Sequence, residues 1–193
     1  MDVLGALIAL ILLSPLLLVT AAAVAWADGA PVIFRQHRAG TGLIPFMVFK
    51  FRTMYRDADK RAGSWKRSDP RYQDNGGGCD PRILPGASQL RRYSLDELPQ
   101  LINVLKGEMS LVGPRPLLLT QLSEDCAPAD VMEARASVPP GITGLWQVSG
   151  RSDISFGRMM ELDLEYVRGL SFSGDLAIIL KTVVVVFRAS GAA

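Results

Sequence analysis

Residues 3–27 are apolar almost without interruption, and Ser14-Pro15 falls at their midpoint. A run of that length must be kept from water, and about 20 apolar residues suffice to cross a bilayer as a helix. The rest of the 193-residue chain therefore has to be built around a segment that belongs in lipid. Three readings fit it. Ala25-Trp26-Ala27 has the small-x-small form of a signal-peptide cleavage site, but the leading end carries Asp2 and no basic residue, and the run is long for an h-region. A plain transmembrane helix fits by length. In the third reading Pro15 removes a backbone hydrogen bond and crowds the carbonyl of Ile11, so the helix is interrupted at mid-depth. Ser14 can return a hydrogen bond to a freed carbonyl, which makes the interruption tolerable in lipid. Such a helix either kinks and spans or re-enters and leaves by the side it entered. Residue physics leaves both open.

The charges after this segment bear on orientation. Arg35, His37, Arg38, Lys50, Arg52 and Arg56 follow it closely, and an excess of Lys and Arg beside a membrane segment marks the cytoplasmic side. The overall charge of +2 is too small to argue for nucleic acid. Cys79 and Cys126 form no motif and read as free thiols in a cytoplasmic domain. His37 is the only histidine, so zinc chemistry and histidine-based nucleophilic triads are excluded. Gly76-Gly77-Gly78 lacks the spacing of a phosphate-binding or dinucleotide-binding loop.

Coarse patterning predicts a mixed, helix-rich α/β domain. Val32-Ile33-Phe34 reads as a short strand, and the alternation of residues 45–52 predicts a second strand presenting Lys50 and Arg52 on one face. Residues 56–88, polar and rich in glycine and proline, read as a mobile surface loop. Leu95, Leu98, Leu101, Ile102 and Leu105 recur at helical spacing, with Ser94 and Glu97 matching a capping box and Gly107 placed as the C-terminal cap. Pro99 strains that start, and the helix can instead begin near Leu98. Ser110-Leu111-Val112 reads as a strand entering the turn Gly113-Pro114-Arg115-Pro116. Residues 117–137 read as helix with a break at Pro128, 142–148 as strand, 154–169 as an amphipathic helix and 175–188 as a buried or interfacial one.

Asp96 and Glu97 stand side by side at a helix start, near Arg91, Arg92 and Arg115. Acidic residues there can simply answer the helix dipole. Beside arginines they suit phosphoryl chemistry: a carboxylate can attack phosphorus, both can ligate Mg²⁺, and arginine matches phosphate bidentately. Arg115, flanked by two prolines, has little backbone freedom. Lys50 and Arg52 can equally contact anionic inner-leaflet phospholipid. A non-catalytic membrane adaptor, whose carboxylates only cap a helix, stands as the reading from another class.

Taken together, several segments resemble the bacterial sugar transferases, monotopic polyprenyl-phosphate phosphoglycosyl transferases. The carriers are Leu13 to Leu17, Val32 to Gly40, Phe49 to Met54, Arg91 to Pro116 and Pro140 to Arg151. The resemblance covers about residues 2–188. It implies a single catalytic domain (29–193) facing the cytoplasm of a bacterial inner membrane, with interfacial helices, behind a re-entrant membrane helix (1–28) broken at Ser14-Pro15. It further implies transfer of a sugar-1-phosphate from a UDP-sugar to undecaprenyl phosphate, with release of UMP. Asp96 then matches the nucleophile and Glu97 its acidic partner, with Mg²⁺ as cofactor. Lys50, Arg91 and Arg115 fall on site-lining positions, and Arg52 and Arg151 are further candidates for phosphate binding. A homodimer is left open. The chain departs from the family pattern in lacking a basic amphipathic lead and the multi-span region of larger members, so it resembles a minimal catalytic form or an excised core.

Overall fold

The computed structural model describes residues 1–61, 82–122 and 127–188. The apolar segment forms one helix, α1 (Asp2–Asp28), followed by the antiparallel pair β1 (Ile33–Ala39) and β2 (Pro45–Phe51), in register from Ile33 opposite Phe51 to Ala39 opposite Pro45. Short helices α2 (Ala58–Arg61) and α3 (Ala87–Arg92) flank the 62–81 stretch of the expected loop, which lies outside the described residues. A 3₁₀ turn over Leu95–Gln100 leads into α4 (Leu101–Leu105), then β3 (Ser110–Val112), α5 (Ala129–Arg135) and β4 (Gly141–Thr143), which pairs with β3 in parallel. Then follow α6 (Leu145–Ser149), α7 (Phe156–Arg168) and α8 (Phe172–Arg188). The mixed, helix-rich α/β expectation holds.

Three local expectations are corrected. Ser94 takes a left-handed conformation with φ 54° and makes no cap bond. Its hydroxyl instead lies 3.4 Å from Arg151 Nη2, so the capping box does not form. The leucine repeat starts as a 3₁₀ turn because Pro99 denies the α-ladder a donor, and regular α-helix begins only at Leu101. The strand expected over 142–148 stops at Thr143, and 145–149 is helical. Gly107, at φ 74°, does close α4.

Helical assignment also continues through Pro15, so the expected break is not a gap in the helix. Proline costs the ladder one donor, and Ser14 Oγ donates to the orphaned Ile11 carbonyl at 2.8 Å. Both ends of this helix, about 40 Å long at 1.5 Å per residue, are tied to the same body. At the first end Ala6 is buried among Leu101, Val104 and Met109, and Asp2 Oδ1 accepts from the Leu111 N–H at 3.4 Å. At the other end Val24 packs on Leu84 and Ala87, and Asp28 pairs with Arg52 at 3.0 Å. Between these anchors Leu4, Leu7, Ile8, Ile11, Leu12, Leu18 and Val19 are exposed.

The main core gathers Leu117, Met132, Trp146, Met159, Met160 and Leu162 from α5, α6, α7 and the chain after the Pro-Arg-Pro turn. That turn is packed backbone to backbone. A Cβ on Gly141 would stand 2.1 Å from the Gly113 nitrogen, and one on Gly113 would stand 2.5 Å from the Pro139 carbonyl oxygen. Only hydrogen fits at either site, so β3 and β4 come together closely enough to set where Arg115 leaves the sheet.

Candidate active site

The site begins with how β2 is held. Asn103, fully buried on α4, donates to the Met47 carbonyl at 2.7 Å and accepts from the Phe49 N–H at 3.2 Å. This fastens the strand carrying Lys50 to the element that follows the acidic pair. Lys50 Nζ then reaches Glu97 Oε1 at 2.5 Å, and Arg115 Nη1 approaches the same oxygen to 4.0 Å. Arg38, Lys50, Glu97, Arg115 and Gln147 line a narrow cleft between β2, the 3₁₀ turn and the Pro-Arg-Pro turn.

Electrostatics separates the two acids. Burial pushes Asp96 up, the Glu97 charge adds to this, and Lys50 and Arg91 pull against it, leaving it at about 6. Burial also works against ionised Glu97, but Lys50, Arg115 and Arg38 outweigh it and hold the group at about 2. Arg38 is lowered to about 10, by burial first and then by the Arg115 charge. Arg151 is lowered by burial against the pull of Glu97. Five cations, Arg38, Lys50, Arg91, Arg115 and Arg151, thus act on two carboxylates. The surplus of positive charge in a half-buried cleft suits a polyanion such as a diphosphate.

A second feature meets the first at Glu97. An apolar groove of about 550 Å³ runs between α1, at Leu13 and Leu16, and the valines of α8, with Glu97, Ser94 and Arg151 at its polar end. Arg151 Nη1 is buried there without a hydrogen-bond partner.

The structure therefore assembles Asp96, Glu97, Lys50, Arg91, Arg115 and Arg151 around one place. Arg52 does not join them. Its Nη2 donates to the carbonyls of Asp28 and Gly29, at 3.1 and 2.6 Å, and its Nη1 pairs with Asp28. This residue closes the C-terminal end of α1, because the β-strand ends at Phe51 and the chain turns toward α1 there. Arg52→Met should cost about 2–3 kcal/mol by leaving the Asp28 and Gly29 carbonyls bare and Asp28 with only the more exposed Arg56 as its cation. A melting temperature lower by about 5–10 °C, with KM unchanged, is the expected pattern. A raised KM without loss of stability would return Arg52 to the phosphate site.

Sequence patterning missed Arg38, Asn103 and Trp146. Strand parity held a signal for the first: Arg38 lies opposite Phe46, and so on the face of the hairpin that carries Lys50. Asn103 and Trp146 gave none, since their roles depend on which elements meet.

Among the described residues no group of three or more His, Cys, Asp and Glu side chains is placed to hold a metal alone. Mg²⁺ usually takes only one or two protein carboxylates, so Asp96 and Glu97 are the side chains that could hold such an ion here.

A sequence model described as bacterial sugar transferase matches residues 1–189. The exopolysaccharide production protein ExoY of Sinorhizobium fredii is 40% identical over 193 residues, covering 94% of this chain and 81% of its own length. The undecaprenyl-phosphate galactose phosphotransferase of Salmonella typhimurium is 38% identical over 99% of this chain and 40% of its own. For the undecaprenyl-phosphate glucose phosphotransferase of Komagataeibacter xylinus the identity is 40%, over 94% of this chain and 34% of its own. With this site, and with matches running nearly end to end, the protein is an enzyme of the transferase class. It belongs to the bacterial sugar transferase family.

Proposed function

We propose that this enzyme moves a sugar-1-phosphate from a UDP-sugar to undecaprenyl phosphate and releases UMP. The observation that carries the reading is the meeting of a cation-lined cleft and an apolar groove at Glu97, whose charge and that of Lys50 also act on its neighbour Asp96. The cations of the cleft match the charge of the donor's diphosphate and the groove suits an isoprenoid chain, and two of the relatives are named for transfer to that lipid phosphate. In the first step a carboxylate oxygen of Asp96 bonds to the sugar-linked phosphorus. The bond from that phosphorus to the bridging oxygen breaks, and UMP departs with the electron pair. In the second, a phosphate oxygen of the lipid attacks the same phosphorus, and the bond to Asp96 breaks to restore the carboxylate. Lys50, Arg38 and Arg115 hold the phosphoryl charge, and Arg151 faces the acceptor phosphate at the groove mouth. Magnesium held by Asp96 and Glu97 would neutralise phosphate charge and orient the donor.

The attachment of both ends of α1 to one body supports a monotopic arrangement. A helix crossing the bilayer carries its ends to opposite faces, whereas Asp2 and Asp28 are each bound to the domain that bears the site. On this reading α1 dips into the inner leaflet at Ser14-Pro15, and α8 lies in the interface with Phe172, Leu176, Leu180 and Phe187 toward lipid. The catalytic face is cytoplasmic, where UDP-sugars are made, and the product would serve the first membrane step of exopolysaccharide or related glycoconjugate assembly.

Trapping tests the reading. UDP-sugar labelled in the sugar, given with Mg²⁺ and no lipid, should leave label on the protein and release one equivalent of UMP per site. Added undecaprenyl phosphate should then discharge the label into lipid. UMP released only when lipid is present, with the protein never labelled, would mean direct attack in a ternary complex. No UMP release from any of a panel of UDP-sugars would sink the reading.

A further inference from the structure

Arg115 is held by more than its two prolines. Its carbonyl accepts a hydrogen bond from Arg135 Nη2, and the same guanidinium donates through Nε to Asp163 Oδ2 at 2.8 Å. The next carbonyl, that of Pro116, accepts from Arg38 Nη1 at 3.0 Å. On its other side the Arg115 guanidinium lies 5.1 Å from the centre of the Trp146 ring, a cation–π distance, with Glu97 beyond it. Arg135 ends α5 and Asp163 sits in the middle of α7; both are buried, Asp163 completely. Neither lines the cleft or the groove.

A buried ion pair is a poor device for stability, because apolar residues of similar volume often serve as well or better. Burial pushes Asp163 up to about 6 even against the pull of Arg135 and of the Arg115 backbone. What the pair does supply is a rigid planar fork that grips a carboxylate and a main-chain carbonyl at once. An apolar pair cannot grip a peptide.

We propose that Arg135 and Asp163 are positioning residues, a buried clamp on the Arg115 peptide that lays its guanidinium across Trp146 and presents it to the phosphate site. This rests on the phosphoglycosyl transfer reading for its kinetic test, and a second readout frees it from that dependence. The clamp substitution is Arg135→Met with Asp163→Leu, which leaves no charge buried alone. It is made in the full-length chain and in an Arg115→Ala background. UMP release should fall about 10- to 100-fold in kcat/KM with the clamp removed, and by a similar factor with Arg115→Ala alone. In the Arg115→Ala background, removing the clamp should cost no more than about threefold further, because the group it positions is gone. The fluorescence of Trp146, read with Trp26→Phe and Trp65→Phe, should follow the same cycle. It shifts on loss of Arg115, shifts likewise on loss of the clamp, and does not shift again when both are lost. If the clamp's effects on rate and emission persist undiminished without Arg115, the pair is only structural and the proposal is wrong. Should the Met/Leu protein fail to fold, Arg135→Lys carries the same cycle, since lysine keeps the charge opposite Asp163 but cannot grip both partners. A parent that released no UMP would overturn the transfer reading, and the emission cycle would still decide the clamp.

Discussion

Asp96→Asn should give a protein that folds, joins the membrane fraction and releases no UMP. The change is nearly isosteric and replaces the nucleophilic carboxylate by a neutral amide, so kcat should fall by at least about 10³-fold with the melting temperature within about 2 °C of the parent. A folded variant keeping a tenth of the parent rate would show that another group attacks phosphorus. The same residue sets the pH dependence. Burial and the Glu97 charge hold Asp96 at about 6, and only the ionised form attacks. Activity is therefore lost below about 6 and gained as pH rises through that value. Added magnesium favours the carboxylate, so the rise should move to lower pH as its concentration increases. A kcat/KM profile that stayed flat from about pH 5 to 8 at every magnesium concentration would contradict this.

The second large effect is topological. A cysteine in a short N-terminal extension, in a background lacking Cys79 and Cys126, should be protected from a membrane-impermeant thiol reagent in intact spheroplasts. Both anchors of α1 place that end beside the catalytic body. Pro15→Leu restores the donor to the Ile11 carbonyl, which Ser14 now serves, and removes the local crowding. With the full backbone ladder, the segment is long enough to cross the bilayer with some tilt. Labelling should then appear in the variant, and activity should fall, because Leu13 and Leu16 wall the groove beside Glu97. Labelling of the parent would place α1 across the membrane and refute the monotopic reading.

Much of this protein was legible in local pattern. The uninterrupted apolar run dictated a lipid-seeking helix, alternation along residues 45–52 marked β2, and the leucine spacing after Asp96 marked a helical turn carrying two carboxylates. The Ser14-Pro15 pair even disclosed its own remedy, a hydroxyl returned to a carbonyl one turn back. These features depend on neighbours within a few residues, where φ, ψ and side-chain period decide the outcome. Tertiary structure decided the rest. Lys50 and Arg52 stand two residues apart in sequence, yet one meets Glu97 across 47 residues of chain and the other closes the end of α1. Arg38 reaches Pro116 across 78 residues, and Arg135 meets Asp163 across 28. Whether a basic side chain becomes a phosphate ligand, a helix cap or a buried clamp depends on which faces of distant elements pack together. Here that was settled by the two glycines that let β3 and β4 approach, by Asn103 fastening β2 to α4, and by the apolar surfaces that draw α5, α6 and α7 around the Arg115 turn.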